Sequence, residues 1–230
     1  RQGTITGILP YAAQQGSLGT VYNSFAYYGS NGGVLSNDDT TQTHAALISA
    51  FYALLNAGNT LSATIISNPL ETAQDIYFDL INADFVDERI GQITSLPQTY
   101  ESDDALLARF DPPRPRNIRK AIKTGVTVER RQDTEAIKFL FETHKDNIIA
   151  IGGLAKKLTF FEQLPNAMPS DSWSIYVAIL DGRPIAALLV FFHHNCAEYF
   201  TPCVVTEYRN TQALSLAIFE AMKDAIERGI

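Results

Sequence analysis

Residues 109–116 read Arg-Phe-Asp-Pro-Pro-Arg-Pro-Arg, with three prolines in eight positions. Proline has no amide hydrogen to donate and holds φ near −65°, so neither a helix interior nor a central strand runs through such a stretch. The chain therefore reads as two lobes, residues 1–110 and 111–230. Its 230 residues are long for one core and comfortable for two of roughly 100–120 residues. Charge breaks at the same place. Residues 1–113 hold three basic and twelve acidic side chains, a net of −9; residues 114–230 hold fifteen and thirteen, a net of +2. Two lobes with different surfaces are expected, one of them suited to an anion.

Local patterns sketch the elements. Thr4–Tyr11 and Ser62–Ser67 read as strands, Thr40–Asn56 and Glu71–Phe85 as helices, and Ile90–Leu96 as a further strand. The Gly- and Asn-rich run ending at Gly33 reads as a loop. Beyond the prolines the order is a short helix at Arg116–Thr124 and a strand at Val126–Arg130. A helix over Asp133–Ile148 comes next, then a hairpin of Trp173–Asp181 and Pro184–Phe192 around Asp181-Gly182. A strand at Ala197–Val205, broken by Pro202, and an amphipathic helix at Thr211–Arg228 complete it. The fold class is a mixed α/β architecture.

Other classes fall away. The longest apolar run, Ile185–Phe192, is far short of the roughly 18 residues that a membrane-spanning helix needs. Two cysteines make no disulfide framework and point to a reducing, cytoplasmic setting. The opening Arg1-Gln2-Gly3-Thr4-Ile5 reads as the middle of a hairpin and Gly229-Ile230 as a helix handing on, so both ends are expected to be internal to a longer protein. A net charge of −7 speaks against binding double-stranded DNA. Adjacent His193 and His194 point to opposite faces of a strand, so no metal site is expected with Cys196.

The helix at Arg116–Thr124 carries the most information. Arg116, Arg119, Lys120 and Lys123 fall at i, i+3, i+4 and i+7, on one face, with Ile118, Ala121 and Ile122 directed inward. Four like charges so placed repel, by about a few tenths of a kcal/mol per pair. An external anion, whether phosphate, carboxylate or an acidic protein patch, resolves the conflict; a solvated basic face is the alternative.

The run Pro115-Arg-Asn-Ile-Arg-Lys-Ala-Ile-Lys-Thr-Gly-Val126 resembles the segment opening the second lobe of FemAB-like proteins, relatives of the peptidoglycan interpeptide-bridge aminoacyltransferases. Other stretches agree in order. They are Leu9-Pro-Tyr with Tyr27-Tyr-Gly-Ser-Asn-Gly-Gly33; Thr143-His-Lys, Ile151-Gly-Gly153 and Phe160-Phe161; and Glu198-Tyr-Phe-Thr-Pro202 leading to Glu207-Tyr-Arg-Asn-Thr-Gln-Ala-Leu214. The resemblance implies two lobes of the GNAT (acyl-CoA N-acyltransferase) fold. It also implies attack of an amine on an acyl group carried by CoA, an acyl carrier protein or tRNA, with no tightly bound cofactor. Two departures stand out. Glu207–Gln212 sits where single-lobe GNAT enzymes carry a Gly-rich acyl-CoA loop, and the last strands of the second lobe are not in the sequence.

The candidate site that follows has three parts. One is the loop Tyr28, Gly29, Ser30, Asn31 and Gly32, whose amides can approach an anion closely. The second is the basic helix, with Arg116, Asn117, Arg119, Lys120 and Lys123. The third is the segment carrying Tyr199, Thr201, Tyr208, Arg209 and Gln212. Aminolysis needs a proton acceptor and oxyanion donors but no covalent nucleophile. Tyr199, Tyr208 and Glu198 are the candidates for handling the proton, with Tyr27 and Glu207 behind them. The rival reading is a non-catalytic double-GNAT module that binds a ligand or scaffolds a partner.

Overall fold

A computed structural model of the chain describes residues 3–24, 32–37, 41–68, 75–88 and 90–230. They form two compact units, Arg1–Ile93 and Thr94–Ile230. The division falls at 93/94 rather than at 110/111 for a packing reason. Leu106 and Leu107 are buried in the core of the second unit, with Leu96, Tyr100 and Phe110 packed against it. The prolines do not separate lobes at all. Pro113 is the N-cap of a helix and Pro115 lies in its first turn, where a missing amide hydrogen costs nothing.

The first unit contains β1 (Gly7–Ile8), β2 (Ala12–Gly16), β3 (Gly19–Asn23), β4 (Leu35–Ser36), α1 (Thr41–Asn56), β5 (Thr60–Thr64) and α2 (Asp75–Leu80). β1 pairs with β4; β3 lies between antiparallel β2 and parallel β5. Gly19, at φ +145°, is required there, because a Cβ would sit 2.8 Å from the Asn59 carbonyl oxygen. α1 buries His44, Ile48 and Phe51, the i, i+4, i+7 stripe of an amphipathic helix. Val34, Ile48 and Tyr77 centre the small core. The expected strand at Ile90–Leu96 does not form among its described residues. Ile90 is 90% exposed and Ile93 63%, so β-propensity there finds no partner. The hairpin β2–β3 has no sequence signature, since Ala-Ala-Gln-Gln-Gly is exposed along nearly its whole length.

The second unit contains α3 (Asp103–Leu107), α4 (Arg114–Thr124), β6 (Thr127–Arg131), α5 (Thr134–Ala150), α6 (Leu158–Glu162), α7 (Leu164–Ala167), β7 (Trp173–Leu180), β8 (Arg183–His193), β9 (Cys196–Val204), a 3-10 turn at Thr206–Thr211 and α8 (Ala213–Glu227). The strands form one antiparallel sheet in sequence order. Tyr176, Ala178, Ala186, Leu188 and Val190 pack under α4 and α8. Their alternates Ile175, Val177, Ala187 and Leu189 pack under α5, α6 and α7. Cover on both faces explains why β7 and β8 read as continuous apolar runs instead of alternating. Asp181 and Gly182 take φ +50° and +73°, as a two-residue hairpin turn requires. β9 runs unbroken through Pro202, which faces Leu188. An edge strand tolerates the missing donor.

Helix ends follow side-chain chemistry. The Asp133 carboxylate accepts from the amides of Glu135 and Ala136, each at 3.1 Å, and grips Arg131 at 2.7 and 2.8 Å. The Arg131 guanidinium and the cap amides hold its pKa well below the usual carboxylate range. Gly125, left-handed at φ +89°, ends α4 with amide bonds back to Ala121 and Ile122. At the other end of the unit, Asp224 of α8 accepts from Tyr176 and pairs with Arg130 and Arg228 at 3.4 and 3.1 Å. Among the described residues no helix is long and apolar enough to cross a membrane.

Candidate functional site

β9 is irregular where it matters. Thr201 pairs with Leu189 and Tyr199 with Val190, so Phe200 is an extra residue, a β-bulge. Directly paired residues share a face of the sheet. Thr201 therefore stands with Leu189 on the α5 side, and Phe200 packs there too, 4.8 Å from Phe191 and 5.9 Å from Phe160. Tyr199 stands on the opposite face, with Val190. The bulge thus separates two residues that the sequence reading places in one cleft.

On the α5 side the apolar core holds a polar centre. After α5 the chain turns at Gly152, with φ +75°, and at Gly153, where a Cβ would meet the Ile148 side chain at 2.8 Å. That turn carries Lys156 inward to only 7% exposure, with Nζ 4.8 Å from the Phe200 ring centroid. Burial lowers the lysine pKa, since desolvation disfavours the charged form of an amine. His144 of α5 is 5% exposed, with its ring 5.9 Å from Phe161. Burial first, then the positive charge of Lys156, pushes its pKa down to about 4, so its imidazole is neutral at pH 7. The Thr201 hydroxyl is buried and finds no hydrogen-bond partner among the described residues. A desolvated lysine beside a strand bulge is the kind of perturbed group that marks functional sites.

The outer edge of β9 is closed near its end. Asn147 of α5 donates to the Val204 carbonyl at 2.9 Å and accepts from the Val204 amide at 3.0 Å. The 3-10 turn that follows is made without glycine. Gln212 itself takes the left-handed conformation, φ +63°. The Thr211 hydroxyl donates to the Tyr208 carbonyl at 2.7 Å and accepts from the Ala213 amide at 3.3 Å. Arg209 and Glu207 are exposed; Tyr208 is half-buried against α8.

The other expected residues divide as follows. Arg116, Arg119, Lys120 and Lys123 are exposed on α4, and Asn117 is half-buried. α4 packs near the 3-10 turn, on the face of the sheet away from Lys156. Among the described residues, Arg119 alone of the four cations has an ion pair, with Asp104 at 3.6 Å. Ile122, expected to face inward, is 48% exposed. Tyr27, Tyr28, Gly29, Ser30 and Asn31 lie outside the described residues. Gly32 donates to Ile66 at 2.7 Å; at Gly33 a Cβ would lie 2.5 Å from the Tyr77 hydroxyl, which gives that glycine a packing role. Tyr199, 51% exposed, has a pKa raised to about 12, chiefly by desolvation of its hydroxyl. Glu198 is half-buried opposite Phe191.

Lys156, His144 and Asn147 escape a reading of candidate site residues. Lys156 sits in Leu-Ala-Lys-Lys-Leu, a pattern that looks like an ordinary solvated turn. The Gly152-Gly153 pair just before it was the available signal. Cys203 is fully buried, its thiol donates to the Leu140 carbonyl at 3.7 Å, and burial pushes its pKa up to about 12, which disfavours it as a nucleophile. Cys196 is a free, exposed thiol near the β8–β9 hairpin. Among the described residues no three His, Cys, Asp or Glu side chains are grouped to hold a metal ion.

Residues 115–230 match the family model described as an acetyltransferase (GNAT) domain. The crystal structure of FemX superposes with a TM-score of 0.70 at 17% identity, covering 99% of this chain and 75% of that one. Curated protein sequences contain no match.

Proposed function

This chain belongs to the acetyltransferase (GNAT) domain family and is an acyltransferase with a FemAB-like fold, and we propose that it moves an acyl or aminoacyl group from an activated donor directly onto an amine. The observation that carries this reading is Lys156, buried at the Phe200 bulge. When an amine attacks an ester or thioester carbonyl, negative charge gathers on the oxygen. A cation held where little water reaches it stabilises that charge more than it would in bulk solvent. His144, neutral at pH 7, adds no competing charge. With Cys203 locked as a buried thiol, the acyl group passes straight to the amine. Attack forms the C–N bond and the oxyanion, its collapse breaks the C–O or C–S bond, and the proton lost by the nitrogen is taken up by the departing alcohol or thiol. Tyr199, paired with Val190 on the opposite face of the sheet, takes no part in this step at Lys156.

The donor class is drawn from acyl-CoA, acyl carrier protein and aminoacyl-tRNA. The glycine-free turn at 206–212 and the Asn147 clamp favour a donor held otherwise than by a Gly-rich phosphate loop. The two free cysteines suit a reducing cytoplasm.

The test is transfer to amine acceptors from each donor class, followed by mass shift, in wild type, Lys156→Met and Lys156→Arg. Lys156→Met lowers kcat/KM about 10²-fold. Lys156→Arg keeps most of the rate and extends it to higher pH, because a guanidinium does not lose its proton there. A Lys156→Met protein that folds and turns over at the wild-type rate removes the proposed role of Lys156; absence of transfer from all three donors favours a ligand-binding or scaffolding module.

A further inference from the structure

Among the described residues, the basic face of α4 meets an ion-pair partner only at Arg119. Arg116, Arg119, Lys120 and Lys123 are exposed, and Arg114 joins Arg116 in a first turn that contains no acidic residue and whose N-cap, Pro113, supplies no side-chain acceptor. Cations at that end oppose the helix dipole. The stripe from Arg116 to Lys123 is about 10 Å long, two turns of a facing helix.

Two observations identify what fits it. The first is α3, whose sequence is Asp-Asp-Ala-Leu-Leu. Its Leu106 and Leu107 are buried in the core that holds Ile118 and Ala121 of α4, and its Asp104 reaches Arg119. α3 thus already offers α4 one exposed carboxylate, which answers one of four cations. The second is Ile122, 48% exposed on the flank of the stripe beside Arg119. A phosphate backbone makes no use of an exposed isoleucine, whereas a protein partner sets an apolar side chain against it inside a charged rim.

We propose that the exposed face of α4 is a docking surface for an acidic amphipathic helix of a partner protein, with carboxylates on Arg116, Lys120 and Lys123 and an apolar residue on Ile122. The surface stands apart from Lys156, so this inference does not depend on the acyl-transfer reading.

The experiment is fluorescence anisotropy on the full chain at low salt, with three labelled probes. They are a helical Glu/Leu amphipathic peptide, the same peptide with Gln for Glu, and an RNA stem-loop. The Glu/Leu peptide binds about tenfold or more tightly than its Gln version. The double variant Lys120→Glu, Lys123→Glu weakens it by about tenfold or more, and Ile122→Ser by several-fold. Arg183→Glu, an exposed change at the start of β8, leaves it unaltered. Equal binding of the Gln peptide, no binding of the Glu/Leu peptide, or indifference to the double variant overturns the proposal. So does preference for RNA with Ile122→Ser unchanged, which assigns the face to nucleic acid.

Discussion

In the second unit β7 and β8 are covered by helices on both faces, and Trp173, Phe161, Phe219 and Leu140 are sealed from water. In the first unit α1 meets a three-stranded sheet largely through Phe51, whose ring lies edge-on to Tyr22 at 6.3 Å. Leu18, Phe78, Phe85 and Ile90 are left more than half exposed there. Buried apolar area is the main source of folding free energy. The contrast teaches that the first unit is the one to open at lower cost.

The sharpest way to break this comparison is a paired truncation. Phe161→Ala removes a fully buried ring from the second unit and is expected to cost about 3–5 kcal/mol. Ile48→Ala, in the smaller core of the first, should cost about 2–4 kcal/mol and lower only the earlier unfolding transition. Calorimetry reads both; a single transition that shifts equally in the two variants means that the units do not unfold separately.

Acid offers a second probe, confined to the larger unit. The His144 pKa is depressed to about 4, against an unfolded value near 6.5. Between these the unfolded chain binds the extra proton, so stability complete above about pH 6.5 is lost as pH falls through about 4. The loss is on the order of 3 kcal/mol. Urea melts from pH 7 to 4 should show it, and His144→Phe should flatten that dependence. An unchanged slope in the variant assigns the acid sensitivity to other groups.

The smallest expected effect is at a helix end. Asp133→Ala strips the N-cap of α5 and should cost about 0.5–2 kcal/mol, read as a shift of the second transition alone. Movement of the first transition instead would contradict the division at 93/94.

Much of the larger unit is legible in local sequence. The Asp181-Gly182 turn, the Gly125 stop, the acidic start of α5 and the stripe of α8 each depend on neighbours within a turn or two, and each appears near its expected place. The cationic face of α4 is likewise a matter of helical spacing. The smaller unit is harder to read, because β2 is polar and exposed and α2 ends at Leu80, short of the end expected at Phe85, which is 80% exposed.

What sequence alone determined here is periodicity and its punctuation: which residues make helices and hairpins, and which faces of them are apolar. Tertiary structure alone decided that Phe200 bulges, that Asn147 closes an edge 57 positions away, and that Lys156 is buried instead of solvated. The physical reason is range. Capping and turn chemistry act over a few residues, whereas desolvation of a charge depends on which distant strand and helix arrive beside it.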